Sequence, residues 1–305
     1  MPRPLTVVPV PGHGPEDVLV DADGSVLTGT EDGAIFRVRR DGGRIDLVGD
    51  TGGRPLGLEW LPDGRVLVCD ARHGLLALDP ANGRTETLAT LVRGQRMLVV
   101  NNAAVHSSGD VYFSDSSRVH RLEHWERDLA EDSGTGRLLR RTAGGAVEVV
   151  VERLRFANGV ALASDESFVA VAETGGRRVV RRWLTGPRTG QTDVLADDLP
   201  GYPDNIARGT DGLVWVALAS PTLASLERVT RLPPGVRRLV GRIPDAVRPG
   251  PRRSARVLAL DDDGHVVHDL DLDSSTYRFV TGVREHEGRV WLGSLLESAI
   301  AWSEL

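Results

Sequence analysis

The chain has 305 residues, of which 40% are hydrophobic, with 37 basic and 43 acidic side chains and a formal charge of −6. That apolar share supports a substantial core and argues against wholesale disorder, while the acidic balance argues against the broad basic face that nucleic acid or an anionic membrane requires. All 37 basic residues are arginine and the only cysteine is Cys69, so Schiff-base, P-loop and Ser–Lys lysine chemistry, internal disulfides and Cys-based zinc sites are excluded.

In chain order, Leu5–Val10 is an apolar strand standing alone. A unit of apolar strand, two-residue turn and apolar strand then recurs. It runs Val18–Val20, Asp23-Gly24, Val26–Thr28, and next Gly57–Leu61, Asp63-Gly64, Val66–Cys69. The third is Ala103–His106, Ser108-Gly109, Val111–Ser114, and the fourth Val160–Ala163, Asp165-Glu166, Phe168–Ala172. The fifth is Ile206–Arg208, Asp211-Gly212, Val214–Ala217, and the sixth Gly282–Arg284, Glu287-Gly288, Val290–Gly293. Asp-Gly between alternating strands marks a hairpin, because glycine takes the positive φ the turn needs. Arg256–Leu260, Asp263-Gly264 and His265–Leu270 form an outer hairpin, and Ala299–Trp302 ends the chain as a strand.

The turns centre on residues 24, 64, 109, 166, 212 and 288. Repeats of about 40–50 residues with four strands each predict an all-β, six-bladed β-propeller of four-stranded antiparallel blades. The last blade lacks a fourth strand, so Leu5–Val10 is expected to close the ring and remove an exposed edge. The domain expected is single, 1–305. The two long gaps are insertions, about 118–136 and 221–253, both leaving from the same face. Short helices are expected in Val119–Leu129 and Leu223–Val229, and the rest of the second insertion reads as a Pro- and Arg-rich loop.

If strand A of each blade lines the axis, the residue eight before each turn centre should crowd one axial point. Those residues are Glu16, Leu56, Asn101, Asn158, Asp204 and Val280, with Asn205 adjacent. Two carboxylates and three carboxamides suit a hard divalent cation: Ca²⁺ accepts six to eight oxygens in loose geometry, whereas Mg²⁺ demands a tighter octahedron. With no histidine in the ring, zinc and copper are disfavoured. The alternative is that Asn and Asp are simply common turn residues. A second ring after the B strands holds Asp70, Asp115 and Glu173, and His73 opens the next connection. His73, Asp115 and Glu173 are candidates for a substrate pocket; the competing role for such carboxylates is to tie down turns through backbone N–H groups.

Several stretches together resemble a known family. They include Gly14-Pro15-Glu16, Arg54-Pro55-Leu56-Gly57-Leu58, Tyr112-Phe113-Ser114-Asp115-Ser116-Ser117, Ala157-Asn158-Gly159-Val160, Val171-Ala172-Glu173-Thr174, Leu199-Pro200-Gly201-Tyr202-Pro203-Asp204-Asn205 and Glu285-His286-Glu287-Gly288-Arg289-Val290-Trp291. The pattern resembles the strictosidine synthase-like branch of calcium-dependent six-bladed propellers. The wider superfamily includes gluconolactonase, regucalcin, diisopropylfluorophosphatase and the paraoxonases. The resemblance implies a catalytic Ca²⁺ at the top of the channel, on Glu16, Asn101, Asn158, Asp204 and Asn205. It also implies Asp204 as the candidate base. Two departures matter: Val280-Thr281 carries no acid, which turns the reading away from strictosidine synthesis, and Leu56 stands where paraoxonases place a histidine.

The resulting expectation is a calcium-dependent hydrolase of a lactone or related ester. The alternatives are a non-hydrolytic tailoring enzyme, for cyclisation or isomerisation, and a non-catalytic binding propeller. The expected partner is a small-molecule substrate, with neither nucleic acid nor membrane. Met1–Gly14 has no apolar signal region and no stretch reaches ~18 consecutive apolar residues, so a cytoplasmic location is expected. Oligomeric state stays open.

Overall fold

The computed structural model describes residues 2–40, 42–243, 250 and 252–305. Six four-stranded antiparallel sheets form the blades of a β-propeller. We letter the strands A to D from the axis outward. The A strands are Leu19–Val20, Pro55–Trp60, Val100–Val105, Ala157–Leu162, Gly201–Arg208 and Val280–His286.

The A–B hairpins turn where the Gly signal placed them, with φ of 75° at Gly24, 83° at Gly64 and 79° at Gly212. Blade 4 uses Glu166 at φ 56° instead. A side chain there is strained, but its carboxylate accepts the Ser107 N–H at 2.7 Å and so ties the turns of blades 3 and 4.

The B strands are buried on both faces, which is why they read as apolar runs rather than alternations. In Phe168–Glu173, Phe168, Ala170 and Ala172 join Val214, Val216 and Leu218 of blade 5. Val169 and Val171 join Tyr112 and Leu138 of blade 3. The core is thus a set of layers between blades.

The N-terminal strand closes the ring as expected, over Thr6–Pro9, by antiparallel pairing with Ala299–Glu304 from Thr6↔Trp302 to Pro9↔Ala299. The first insertion carries a 3-10 turn, Leu122–His124, and helix α1, Trp125–Glu131. The helical part therefore begins later than the expected Val119. The second carries α2, Ala224–Thr230, near the expected turn, and α3, Pro234–Val240, where a loop was expected. Pro234 opens α3, and proline at the first helical position is a start signal, because that N–H has no partner in any case. Residues 244–249 and 251 of this insertion lie outside the described residues.

The two insertions are joined. Arg237 of α3 reaches Asp132, which caps α1, at 2.8 Å. Asp132 also pairs with Arg155, just before blade 4, at 2.8 Å. Beneath them the buried Asp128 carboxylate accepts from Ser117 and Ser133.

Candidate metal centre

Five of the six A strands are interrupted at the same place; in blade 1, Glu16 and Asp17 precede the short strand Leu19–Val20. In blade 3 the register slips between Val100↔Asp115 and Ala103↔Phe113, so Asn101 and Asn102 together oppose Ser114. The same two-against-one bulge places Leu56-Gly57, Asn158-Gly159 and Asp204-Asn205. A bulge re-aims one side chain out of the sheet. Here it sends the first residue of each pair toward the axis. The sequence reading put these residues before strand A; the structure puts them within it in blades 2 to 6, while Glu16 does lie before strand A of blade 1.

In blade 6 the register runs Val280↔Ser294 and Gly282↔Gly293, so the equivalent residue is Thr281, not Val280. The count slipped because His286 pairs directly with Arg289 across a two-residue turn. The Thr281 hydroxyl donates to the Glu16 carbonyl at 2.8 Å and helps hold that residue.

Glu16, Asn101, Asn158 and Asp204 line the floor of one cavity of about 240 Å³. Asn205 is buried beside them without lining the cavity, and its amide donates to Glu16 Oε1 at 3.0 Å. The amides of Asn101 and Asn158 donate to Ser116 and Thr174, at 3.1 and 3.3 Å. With the amide nitrogens turned away, the oxygens face the axis. Glu16 Oε2, Asn101 Oδ1, Asn158 Oδ1 and Asn205 Oδ1 are all buried without a hydrogen-bond partner. Among the described residues only seven buried side-chain polar atoms lack one, so four at one spot is a concentration, not a scatter. Unsatisfied buried acceptors are costly, and a hard cation is one partner that would satisfy such a group of oxygens. Among the described residues no three His, Cys, Asp or Glu side chains converge; the donor set is mostly amide.

The electrostatics agree. Burial pushes the Glu16 carboxyl well above the usual carboxylate range, and the Asp204 and Asp17 charges push it further. Asp204 is open to the cavity but enclosed with it, and burial raises it to about 7. The charged forms of both carboxyls are disfavoured in one enclosed space, a cost that a nearby positive charge would offset.

Apart from Asn205, sequence reasoning missed the second residue of each pair. Asp17 Oδ2 accepts the Leu58 N–H at 3.0 Å, and Asn102 Oδ1 accepts the Val160 N–H at 2.9 Å, so each ties its blade to the next. The following blade in each case has glycine at this position. A Cβ on Gly57 would lie 2.7 Å from Asn102 Cα, and one on Gly159 only 2.0 Å from Ile206 N. The signal was readable as a dipeptide series, Glu-Asp, Leu-Gly, Asn-Asn, Asn-Gly, Asp-Asn, Thr-Gly. We expect Gly159→Ala to lower stability by more than about 2 kcal/mol, because backbone must move to admit the methyl; a urea melt checks this. Two buried arginines were also missed. Arg54 donates to Gly14 O at 2.9 Å and lies close enough to Glu16 to offset its charge. Arg284 pairs with Glu59 at 3.1 Å and partly offsets Asp17.

The expected pocket roles of His73, Asp115 and Glu173 are corrected, since none of the three lines the cavity. Asp115 accepts the Leu98 and Val99 N–H groups and pairs with buried Arg137 at 2.8 Å. Glu173 accepts the Arg155 N–H at 2.9 Å and pairs with Arg178 at 2.6 Å. Both fasten the loop entering their blade. His73 is exposed, with Nδ1 3.0 Å from Thr51 O.

Fold and floor together define a six-bladed propeller with an oxygen-lined axial site under a helical cover. Strictosidine synthase family models match residues 101–187, and a strictosidine synthase-like N-terminal model matches residues 5–38. The chain is 36% identical to strictosidine synthase-like protein 10 of Arabidopsis thaliana over 80% of this chain and 67% of that one. It is 31% identical to the rat (Rattus norvegicus) adipocyte plasma membrane-associated protein over 92% of this chain and 81% of that one. The chain belongs to the strictosidine synthase-like family. Among solved structures, a gluconolactonase of Xanthomonas campestris superposes with a TM-score of 0.72 at 15% identity, covering 99% of this chain and 89% of that one. The calcium-binding protein regucalcin of Agrobacterium tumefaciens gives 0.68 at 16%, covering 99% and 94%. At these identities the likeness is one of fold.

Proposed function

We propose that this protein is a calcium-dependent hydrolase of lactones or related carboxylic esters, acting at the floor of the covered cavity. The observation that carries the reading is the set of three partnerless oxygens, of Glu16, Asn101 and Asn158, at the base of a mainly apolar chamber, with that of Asn205 buried behind them. The fold shared with a gluconolactonase and with calcium-binding regucalcin supports it. Glu16, Asn101, Asn158 and Asp204 would hold the cation, with Asn205 bracing Glu16 from behind. A divalent cation held there supplies Lewis acidity and charge neutralisation to a carbonyl oxygen.

The chain's own groups then divide the work. Of the two floor carboxylates Asp204 is the less buried; in this reading it takes a proton from an attacking water. The water oxygen bonds to the acyl carbon, its proton passes to Asp204, the acyl C–O bond breaks, and the departing oxygen takes that proton. Thr174 donates to Pro203 O at 2.7 Å and accepts from Asn158, which fixes the amide's orientation. The helices keep bulk water from the reacting carbon.

A panel of lactones and esters, assayed on chelator-stripped and calcium-reloaded protein, tests this. Hydrolysis should require calcium, and Asp204→Asn should lower kcat by at least about a hundredfold. Turnover that is indifferent to the chelator, or no turnover of any ester by the calcium-loaded protein, contradicts the reading.

A further inference from the structure

Above its polar floor the cavity is lined mainly by apolar side chains, with Glu126 of α1 and Ser225 of α2 among the polar exceptions. Its roof is the inner side of the two insertions: Trp125 and Leu129 of α1, and Leu226 and Val229 of α2. These pairs recur at helical spacing of three or four residues, so each helix turns one apolar face inward. The walls carry Phe156 and Phe279, the residues immediately before strands A of blades 4 and 6. Both are held at positive φ, 63° and 54°. Bulky side chains are rare in that region, and such strain tends to be kept at ligand-binding positions. Here it is kept at two aromatic wall residues, and the Phe279 ring lies 6.0 Å from that of Trp125, joining wall to roof.

The hydroxyls of Tyr202, Ser220 and Thr174 near this wall are already committed. Tyr202 donates to Glu227 and accepts the Leu223 N–H, at 3.1 and 3.2 Å. Ser220 donates to Pro221 O at 3.1 Å, and Thr174 is bound to Asn158 and Pro203. A sugar lactone buried here would lose the water around its several hydroxyls and find few partners for them beyond Glu126 and Ser225. An alkyl or aryl group would instead exchange water for Trp125, Phe156, Phe279 and Leu226.

We propose that the substrates of this site are esters or lactones with one polar end and an apolar tail, the carbonyl on the floor and the tail under α1 and α2, and that polyhydroxylated sugar lactones are excluded. The proposal rests on the hydrolase reading for the reaction but not for the selectivity. Trp125 and Leu226 are the specificity-determining residues.

The test is equilibrium binding to the calcium-loaded protein of three lactams, which mimic the lactone ring without being hydrolysed: 5-methyl- and 5-hexyl-pyrrolidin-2-one, and gluconolactam. The expected result is that the hexyl compound binds at least about a hundredfold more tightly than the methyl one, since each buried methylene contributes roughly fourfold, and that gluconolactam binds more weakly than either. Trp125→Ala should weaken hexyl binding at least about tenfold and leave methyl binding within about twofold. Leu226→Ala serves the same purpose if the tryptophan variant fails to fold. Equal affinity for the two alkyl lactams, or tighter binding of gluconolactam, overturns the proposal. Tail-dependent binding with no ester hydrolysed by the same preparation would retain the apolar selectivity and reject the hydrolase reading instead.

Discussion

Replacing both floor carboxylates, by Glu16→Gln with Asp204→Asn, should stabilise the chelator-treated protein and weaken calcium binding by at least about a thousandfold. The two effects have one cause. In the metal-free protein both carboxyls have raised pKa values, chiefly through burial, and Asp204 also raises Glu16. Their folded forms bind protons more tightly than the unfolded chain does. Their contribution is therefore fully present below the unfolded values near 4 and is lost as pH rises through the folded values, about 7 for Asp204. At pH 8 the Asp204 shift alone corresponds to a penalty on the order of 2–4 kcal/mol. The neutral double variant escapes it. Calcium binding to the native state reverses the sign for the wild type, by mass action. Thermal melts at pH 5 and pH 8, with calcium or with chelator, check the whole pattern. A double variant less stable than wild type in chelator at pH 8 would show that the floor is not strained by its own charge.

Arg137→Met should cost about 3–5 kcal/mol, the usual price of leaving a buried charge unpaired. The side chains of Asp115 and Arg137 are 0% and 4% exposed. With the guanidinium gone, Asp115 keeps only the Leu98 and Val99 N–H groups. Those contacts lead the chain into strand A of blade 3, two residues before Asn101. The variant should therefore lose calcium affinity as well, even though Arg137 touches no floor residue. Denaturant titration with and without calcium measures both; a loss under about 1 kcal/mol would contradict the assigned role. The double variant Asp115→Asn, Arg137→Met should recover part of the stability, because it removes the orphaned charge.

How far the sequence reached depended on whether the information was local. A turn such as Asp63-Gly64 between apolar runs carries its own conformational reason, so six blades could be counted. The strand missing after Ala299–Trp302 pointed back to the N-terminus by bookkeeping of edges. The floor was also legible, because a propeller repeats its geometry and a count back from each turn lands on the same bulge. The count failed only in blade 6, where the tight His286–Arg289 turn shifted it from Thr281 to Val280. What stayed hidden was long-range pairing. Nothing local in Asp115 or Glu173 says that an arginine on the neighbouring strand will claim it, and so two structural carboxylates resembled pocket residues. Asp17 and Asn102 were visible but unread, since their partners lie in the next blade. Helix α3 was obscured by a composition rich in Pro and Arg, although Pro234 marks its start.

The most direct test of the central claim is to locate the cation. Anomalous diffraction from crystals grown with calcium should show one ion at the cavity floor, about 2.3–2.6 Å from oxygens of Glu16, Asn101, Asn158 and Asp204, and none there in the Glu16→Gln, Asp204→Asn variant. A floor that remains free of metal at millimolar calcium, or one that holds the ion equally well without those two charges, would contradict it.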